Sequence, residues 1–218
     1  MRREKIAIAL PKGRLLPEAI KLFEAAGIRE LDGLIESRRL LCEDPSGAYR
    51  FLVLRPTDIP TYVEYGATDV GVVGKDILLE QERDVYEPLD LKFGACRVVV
   101  AQPKNLENRG AAAGYTSLRI ATKYPTLAER YFTERGVQVE VIRLSGSIEL
   151  APLAGLCDRI VDLVDTGRTL RENGLEEVEE ITTATARLIV NRAALKTKYR
   201  RIRELVDRLT AVVQGGGT

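Results

Sequence analysis

The chain has 218 residues, 45% of them hydrophobic, enough to bury a substantial core in one large domain or two small ones. Its 33 Lys and Arg against 32 Asp and Glu leave no net field to attract nucleic acid or an anionic membrane surface, so any basic site must be local. Histidine is absent, which removes imidazole triads, His-ligated zinc and the commonest general base, and leaves electrostatics and positioning to carry the chemistry.

Met1-Arg2-Arg3-Glu4-Lys5 leads into a short apolar strand without a long apolar h-region. No run approaches the roughly 18 apolar residues of a membrane span, so neither a signal peptide nor a membrane segment is predicted and a cytoplasmic location is expected. Cys42, Cys96 and Cys157 are isolated, odd in number and without metal-ligand spacing, as expected of small core residues in a reducing cytosol. Lys5–Leu10 reads as a strand stopped by Pro11 and Gly13, and Leu15, Leu16, Ala19, Ile20, Phe23 and Ala26 mark an amphipathic helix. A strand at Phe51–Leu54, a helix from about Asp58 to Tyr65 and a strand at Asp69–Val73 repeat the theme, and Gly74-Lys75-Asp76 opens another helix. The pattern is α/β with a mainly parallel sheet.

The pattern changes after Asp90: Gly94–Ala101 is a strand, and the polar, Ala- and Gly-rich stretch from Lys104 to Ser117 reads as a surface loop. Strand and helix then alternate through Leu118–Thr122, Leu127–Arg135, Val137–Leu144, Ile148–Leu156 and Arg159–Val164. Ile181–Val190 reads as a strand and Ala194–Val213 as one long amphipathic helix with a basic polar face. The simplest topology sends the chain out to a second α/β domain and back: residues 1–92 with 181–218 form a discontinuous domain I, and 93–180 form domain II. Two such lobes would leave a cleft between them, where ligands commonly lie.

The strongest chemical signal is the apolar strand Arg159–Val164 followed by Asp165-Thr166-Gly167-Arg168-Thr169, a small polar turn opening a helix. Backbone N–H groups there lack intrahelical acceptors and the helix dipole favours an anion. Thr166 and Thr169 add hydroxyls, Gly167 admits close approach, Arg168 adds charge, and a sugar 5-phosphate is the natural occupant. An ordinary N-capped helix start accounts for the same residue types. Asp162 and Asp165 fall on opposite faces of the strand, so Asp165 is the better candidate for ribose hydroxyls, while Asp162 inside an apolar strand requires a partner. Glu149 opens the preceding helix. Lys12, Gly13 and Arg14, then Arg38 and Arg39, Arg55 and Lys75 follow strands or polar segments and could converge on a polyphosphate, although each alone is more often a solvated charge. Neither Lys12-Gly13-Arg14 nor Gly74-Lys75-Asp76 has Walker spacing.

Ala9-Leu10-Pro11-Lys12-Gly13-Arg14, Val73-Gly74-Lys75-Asp76, Arg119-Ile-Ala-Thr-Lys-Tyr124 and the long segment from Ser145 to Leu175 together resemble the ATP phosphoribosyltransferases, the first enzymes of histidine biosynthesis. The resemblance implies two periplasmic-binding-protein-like (type II) α/β domains with the active site in the interdomain cleft. It implies that N1 of ATP displaces pyrophosphate from C1 of phosphoribosyl pyrophosphate, with Mg²⁺ on the pyrophosphate. Asp165, Thr166, Gly167, Arg168 and Thr169 would hold the 5-phosphate, with Glu149 and Asp162 near the ribose or its metal. Arg14 and Arg38 would be the catalytic cations near the leaving pyrophosphate and the ATP phosphates, with Lys12, Gly13, Arg55 and Lys75 as further polyphosphate contacts. No strong base is needed, because adenine N1 is already a neutral nucleophile. The absence of a further C-terminal domain resembles the short form of the family, which implies a dimer of catalytic chains in a hetero-oligomer with a separate regulatory subunit resembling a histidyl-tRNA synthetase.

Type I phosphoribosyltransferases share the Thr-Gly-x-Thr turn but place two adjacent acids before it, whereas Leu163 and Val164 separate Asp162 from Asp165 here. A two-lobed binding module shares the expected shape, without a signal peptide or a DNA-binding segment to support it.

Overall fold

The computed structural model describes residues 5–28, 31, 40–104 and 117–215. Arg38 and Arg39, and nearly all of the loop expected between Lys104 and Ser117, lie outside the described residues. The chain divides into two compact units, one made of Met1–Gly94 with Thr185–Thr218 and the other of Ala95–Ala184.

The first unit holds a six-stranded sheet in which β1 (Ile6–Pro11), β3 (Tyr49–Leu54) and β4 (Val70–Gly74) run parallel. β2 (Leu41–Glu43), β5 (Tyr86–Asp90) and β11 (Ala186–Val190) join it through antiparallel pairings. β1 lies between β3 and β4 and is covered on both faces, which is why it reads as an unbroken apolar run rather than an alternation. On one face Ile8, Leu10, Phe51, Val70 and Leu188 meet Ile20 and Phe23 of α1 (Leu16–Ala25). Ile202, Leu205 and Leu209, at helical spacing on α8 (Tyr199–Gly215), complete that layer. The Phe23 and Phe51 rings meet edge to face at 5.6 Å, and each fully buried ring contributes roughly 1.5–3 kcal/mol. On the other face Ala9, Val73 and Ile189 pack against Ile59 and Val63 of α2 (Ile59–Glu64). α2 lies so close that a Cβ at Gly71 would come within 2.7 Å of Ile59 and 2.9 Å of Val63.

In the second unit β7 (Leu118–Thr122), β8 (Val139–Arg143) and β9 (Arg159–Val164) are parallel, and β6 (Cys96–Pro103) and β10 (Leu175–Ala184) are antiparallel, in the order β10-β6-β9-β7-β8. Val99, Ala101, Ala121, Ile160 and Val164 form a core with Ile148 and Leu170. α4 (Pro125–Glu134) buries Leu127, Ala128, Tyr131 and Phe132.

Several expectations are corrected. Both sheets are mixed rather than mainly parallel. The expected strand Ile181–Val190 is two strands in two different sheets, β10 and β11, parted at Thr185. Thr185 donates to Asp90 Oδ1 at 2.8 Å and its carbonyl accepts from the Lys75 N–H at 3.0 Å. The long C-terminal helix is also two, α7 (Arg192–Thr197) and α8, because Lys198 leaves helical geometry and sends its ammonium to Lys5 O at 3.0 Å and to Asp69 Oδ2 at 2.9 Å. The helix expected over Ile148–Leu156 is reduced to α5 (Leu150–Leu153), closed by Gly155 in the left-handed region at φ 74°.

Asn191 joins elements distant in sequence. Its Oδ1 accepts from the Ala194 N–H at 2.7 Å as the N-cap of α7, and its Nδ2 donates to Val63 O at 2.7 Å and Glu64 O at 3.1 Å where α2 ends. Asn191→Ala should therefore lose a cap and leave buried groups unpaired, costing about 2–3 kcal/mol with an unchanged denaturant slope in urea unfolding. Asn191→Asp should do no better, since it would turn negative charge toward two carbonyls. A second prediction concerns acid. Burial pushes the Asp90 carboxyl up, but bonds from Lys92 and Thr185 and the nearby Arg187 outweigh it and hold the group at about 2, against an ordinary value of 3.8. A carboxyl depressed by folding stabilises the fold above the unfolded value and loses that contribution as pH falls through the folded one. Stability should fall between about pH 4 and pH 2, and pH-dependent unfolding of Asp90→Asn should show a shallower decline across that window.

Candidate active site

Because β7, β8 and β9 are parallel, their C-terminal ends lie along one edge of the second unit's sheet. Three polar segments emerge there: Lys123 after β7, Ser145–Glu149 after β8, and Asp165–Thr169 after β9. β6 runs the other way, so its start reaches the same edge, with Arg97 paired in register to Val164.

Asp165, Thr166, Arg168 and Thr169 are exposed on the turn, while Gly167 is buried in the left-handed region at φ 70° and stands at the N-cap of α6 (Arg168–Glu172). Thr166 Oγ1 accepts from the Arg168 N–H at 3.4 Å, so the turn is braced from within. The φ of Gly167 favours glycine, and a Cβ there would lie 2.7 Å from Glu177 Oε1 and 2.9 Å from the Arg171 guanidinium, so both side-chain ends would have to shift. The Arg168 guanidinium is turned along the helix to Glu172 Oε1 at 2.7 Å. Leu170, buried against Val164 and Leu175, anchors the turn in the core.

Asp162 is buried on β9 and has the partner its setting demands. Its Oδ1 lies 3.0 Å from Lys123 Nζ and accepts from the Leu163 N–H at 2.8 Å. Asp162 lies inside the strand, and Asp165 is exposed beyond its end. Glu149 is partly exposed at the start of α5. Its segment is tied back to β7 by Arg119, which donates to Asp158 at 2.9 and 2.8 Å and to Gly155 O at 3.2 Å. The Arg119 hydrogen bonds hold the Asp158 carboxyl below the usual carboxylate range.

The first unit has an equivalent edge. β1, β3 and β4 are parallel, and their C-terminal ends deliver Lys12-Gly13-Arg14, Arg55 and Lys75 to one side of the sheet. Lys12, Gly13, Arg14 and Arg55 are exposed. Arg14 donates to Gly94 O at 3.2 Å. Lys75 is half-buried in an ion pair with Glu87 at 2.7 Å, and Glu87 also meets Arg187 at 3.3 Å. Lys75 is therefore built into a network, whereas Lys12 and Arg55 are placed on the open edge.

Sequence reading missed Arg97, Lys123 and Glu177, which support the turn. Lys123 was within reach, because Asp162 on an apolar strand required a cation. Arg97 and Glu177 meet only through strand pairing, which leaves no local signal. Among the described residues, no cluster of three or more His, Cys, Asp or Glu is placed to hold a metal alone, and no helix is long and apolar enough to cross a membrane. The carboxylates at the second unit's edge are hard oxygen donors, which suit a cation that takes most of its ligands from substrate phosphates.

The family model described as HisG: ATP phosphoribosyltransferase matches residues 55–211. The ATP phosphoribosyltransferase of Syntrophotalea carbinolica is 58% identical over 210 residues, covering 95% of each chain. ATP phosphoribosyltransferase 2 of Geobacter sulfurreducens is 57% identical over 204 residues, 94% of this chain and 96% of that one. Among solved structures, the ATP phosphoribosyl transferase (HisG:HisZ) complex from Thermotoga maritima is similar at TM-score 0.81 and 33% identity, over 98% of this chain and 100% of that one. The periplasmic aliphatic sulphonate binding protein SsuA from Escherichia coli, at TM-score 0.59 and 13% identity over 96% of this chain and 72% of that one, shares the fold alone. With a family model across most of its length and relatives this similar end to end, the chain belongs to the ATP phosphoribosyltransferase family.

Proposed function

We propose that this chain performs the family's reaction, the first step of histidine biosynthesis, through the two strand-end edges described above. The phosphoribosyl group passes from phosphoribosyl pyrophosphate to N1 of ATP. The observation that carries the assignment of residues is the Asp165–Thr169 turn, a buried glycine flanked by exposed Asp and Thr at the end of a parallel strand. In this reading the N–H groups and hydroxyls of Thr166, Gly167 and Thr169 receive the 5-phosphate and Asp165 the ribose hydroxyls. Asp162 acts indirectly by holding Lys123 at the edge, and Glu149 faces the ribose. Arg168 adds positive potential from its pair with Glu172.

The bond from C1 of the ribose to the pyrophosphate oxygen breaks as the bond from adenine N1 forms, and the breaking bond's electrons leave with pyrophosphate. The N1 lone pair attacks directly, so no proton must be removed first and the missing histidine costs nothing. Charge grows on the departing group, and cations that meet it there stabilise the transition state more than the ground state. Arg14 is the first candidate for that role and Arg38 the second, with Lys12, Gly13, Arg55 and Lys75 as further candidates for the polyphosphate. The family uses a metal ion; for this chain we take it to be Mg²⁺, which Glu149 or Asp165 would help to hold beside the substrate phosphates and which would supply charge compensation there.

The Thermotoga maritima structure is a HisG:HisZ complex, which supports this chain acting as a short-form catalytic subunit. Its expected partner is a separate regulatory protein resembling a histidyl-tRNA synthetase, in a hetero-oligomer built on a dimer of catalytic chains. Cys42, Cys96 and Cys157 are not joined by disulfides, and we take the setting to be cytoplasmic.

The test is near-ultraviolet absorbance of the product with ATP, phosphoribosyl pyrophosphate, Mg²⁺ and pyrophosphatase. A rise that needs both substrates is expected, and none even with the regulatory subunit added would refute the reading. Arg14→Ala is expected to lower kcat by about a hundredfold or more while the melting temperature changes far less, because the exposed side chain's bond to the Gly94 carbonyl is a neutral-acceptor contact of modest net worth. An unchanged kcat would remove Arg14 from the mechanism.

A further inference from the structure

Beneath the turn lies an ion pair with no part in the reaction described so far. Arg97 NH1 donates to Glu177 Oε2 at 2.6 Å and NH2 to Oε1 at 3.1 Å, a bidentate fork, and NH1 also reaches Glu180 Oε2 at 3.4 Å. The pair is half-buried, with side chains 35% and 29% exposed, so it is better defined than a solvated surface pair. Glu177 Oε1 occupies the space a Cβ of residue 167 would need, so the loop backbone rests directly on this carboxylate.

The strand geometry is specific to this contact. Glu177 and Glu180 are separated by an odd interval and would face opposite sides of a regular strand. β10 instead slips its register against β6 between Glu177 and Glu179, the extra residue restores the alternation, and both carboxylates meet one guanidinium. Arg97 pairs in register with Val164, the residue just before the turn, and shares the face of β6 that carries Val99 and Ala101, the core on which Leu170 packs. Charge fits as well. A lone carboxylate under the loop would oppose an incoming phosphate, whereas Arg97 and Arg171 offset Glu177 and Glu180.

We propose that Arg97 and Glu177 are positioning residues for phosphoribosyl pyrophosphate, fixing the Gly167 turn so that its N–H groups are aimed at the 5-phosphate before substrate arrives. This rests on the reading of the Asp165–Thr169 turn given above. The pair touches no substrate; it acts through the backbone it supports.

Steady-state kinetics of Glu177→Gln, Arg97→Met, Arg97→Lys and the double variant Arg97→Met with Glu177→Gln test this, with Gly167→Ala as a direct probe of the loop. Glu177→Gln and Arg97→Met should each raise KM for phosphoribosyl pyrophosphate about tenfold or more, with KM for ATP within about twofold and little change in melting temperature. Arg97→Lys should recover part of the loss, and the double variant should be no worse than the poorer single, because both remove one pair. If Gly167→Ala raises that KM and neither partner variant does, the pair is not a positioning device and the loop reading stands. If Gly167→Ala leaves it unchanged, the loop reading falls and the inference with it. Equal rises in both KM values with a lowered melting temperature would mark the pair as merely structural and overturn the proposal. Should Arg97→Met fail to fold, the near-isosteric Glu177→Gln carries the test.

Discussion

Two parallel strands cannot be joined by a tight turn; the chain must leave the first at its C-terminal end and return across a face of the sheet. Wherever parallel pairing occurs, all strand exits therefore gather on one edge, with loops whose composition the sheet does not dictate. Both units use this constraint. β1, β3 and β4 gather Lys12-Gly13-Arg14, Arg55 and Lys75, and β7, β8 and β9 gather Lys123, Ser145–Glu149 and Asp165–Thr169. Cations prevail on the first edge, and hydroxyls, carboxylates and a helix start on the second. The antiparallel strands take the other part: β6 and β10 bring Arg97 and Glu177 to the base of the turn from a distance in sequence that no local signal spans.

The charged fraction is 30%, yet the formal net charge is only +1, and the structure shows why both signs are needed so close together. Buried Asp162 is met by the exposed Lys123, Asp158 is gripped by Arg119, and Asp90 is ringed by Lys92, Thr185 and Arg187. Each pair holds a loop or a strand crossing at an edge where apolar contacts run out. A hydrophobic side chain placed there would pack no better and would lose the geometric definition of a bidentate or multiply bonded carboxylate. Apolar packing therefore fixes the interior, and ion pairs fix the edges.

Legibility in sequence follows the same division. Strands buried on both faces, such as β1 and β9, and helices with one apolar stripe, such as α1, were readable because period and burial coincide. β10 was readable only in its β-branched second half; its first half carries four glutamates, which lower strand propensity and are accommodated by Arg97, Gln102 and the Tyr131–Arg135 side. The passage from β10 to β11 was invisible because Thr185 sits in a Thr- and Ala-rich run, and its bonds to Asp90 and to the Lys75 N–H mark the change of sheet. Of the candidate site, the Asp165–Thr169 turn and the strand-end cations were legible as residue types. Their grouping by edge depended on strand direction and order, which periodicity does not encode.

A chain without histidine lacks the commonest side chain for moving protons near neutral pH, a lack that matters least in reactions whose nucleophile is ready and whose leaving group needs only charge compensation. Phosphoribosyl transfer to a ring nitrogen meets both conditions. Catalysis of this kind gains little from flexible groups that must be ordered during the reaction and much from dipoles and cations already in place. The features of the second unit's edge agree with that demand: a glycine in the left-handed region set against Glu177, a turn anchored by Leu170, and an aspartate held on its strand by Lys123. The cost of preorganising such a site is met during folding, in contacts that never touch the substrate.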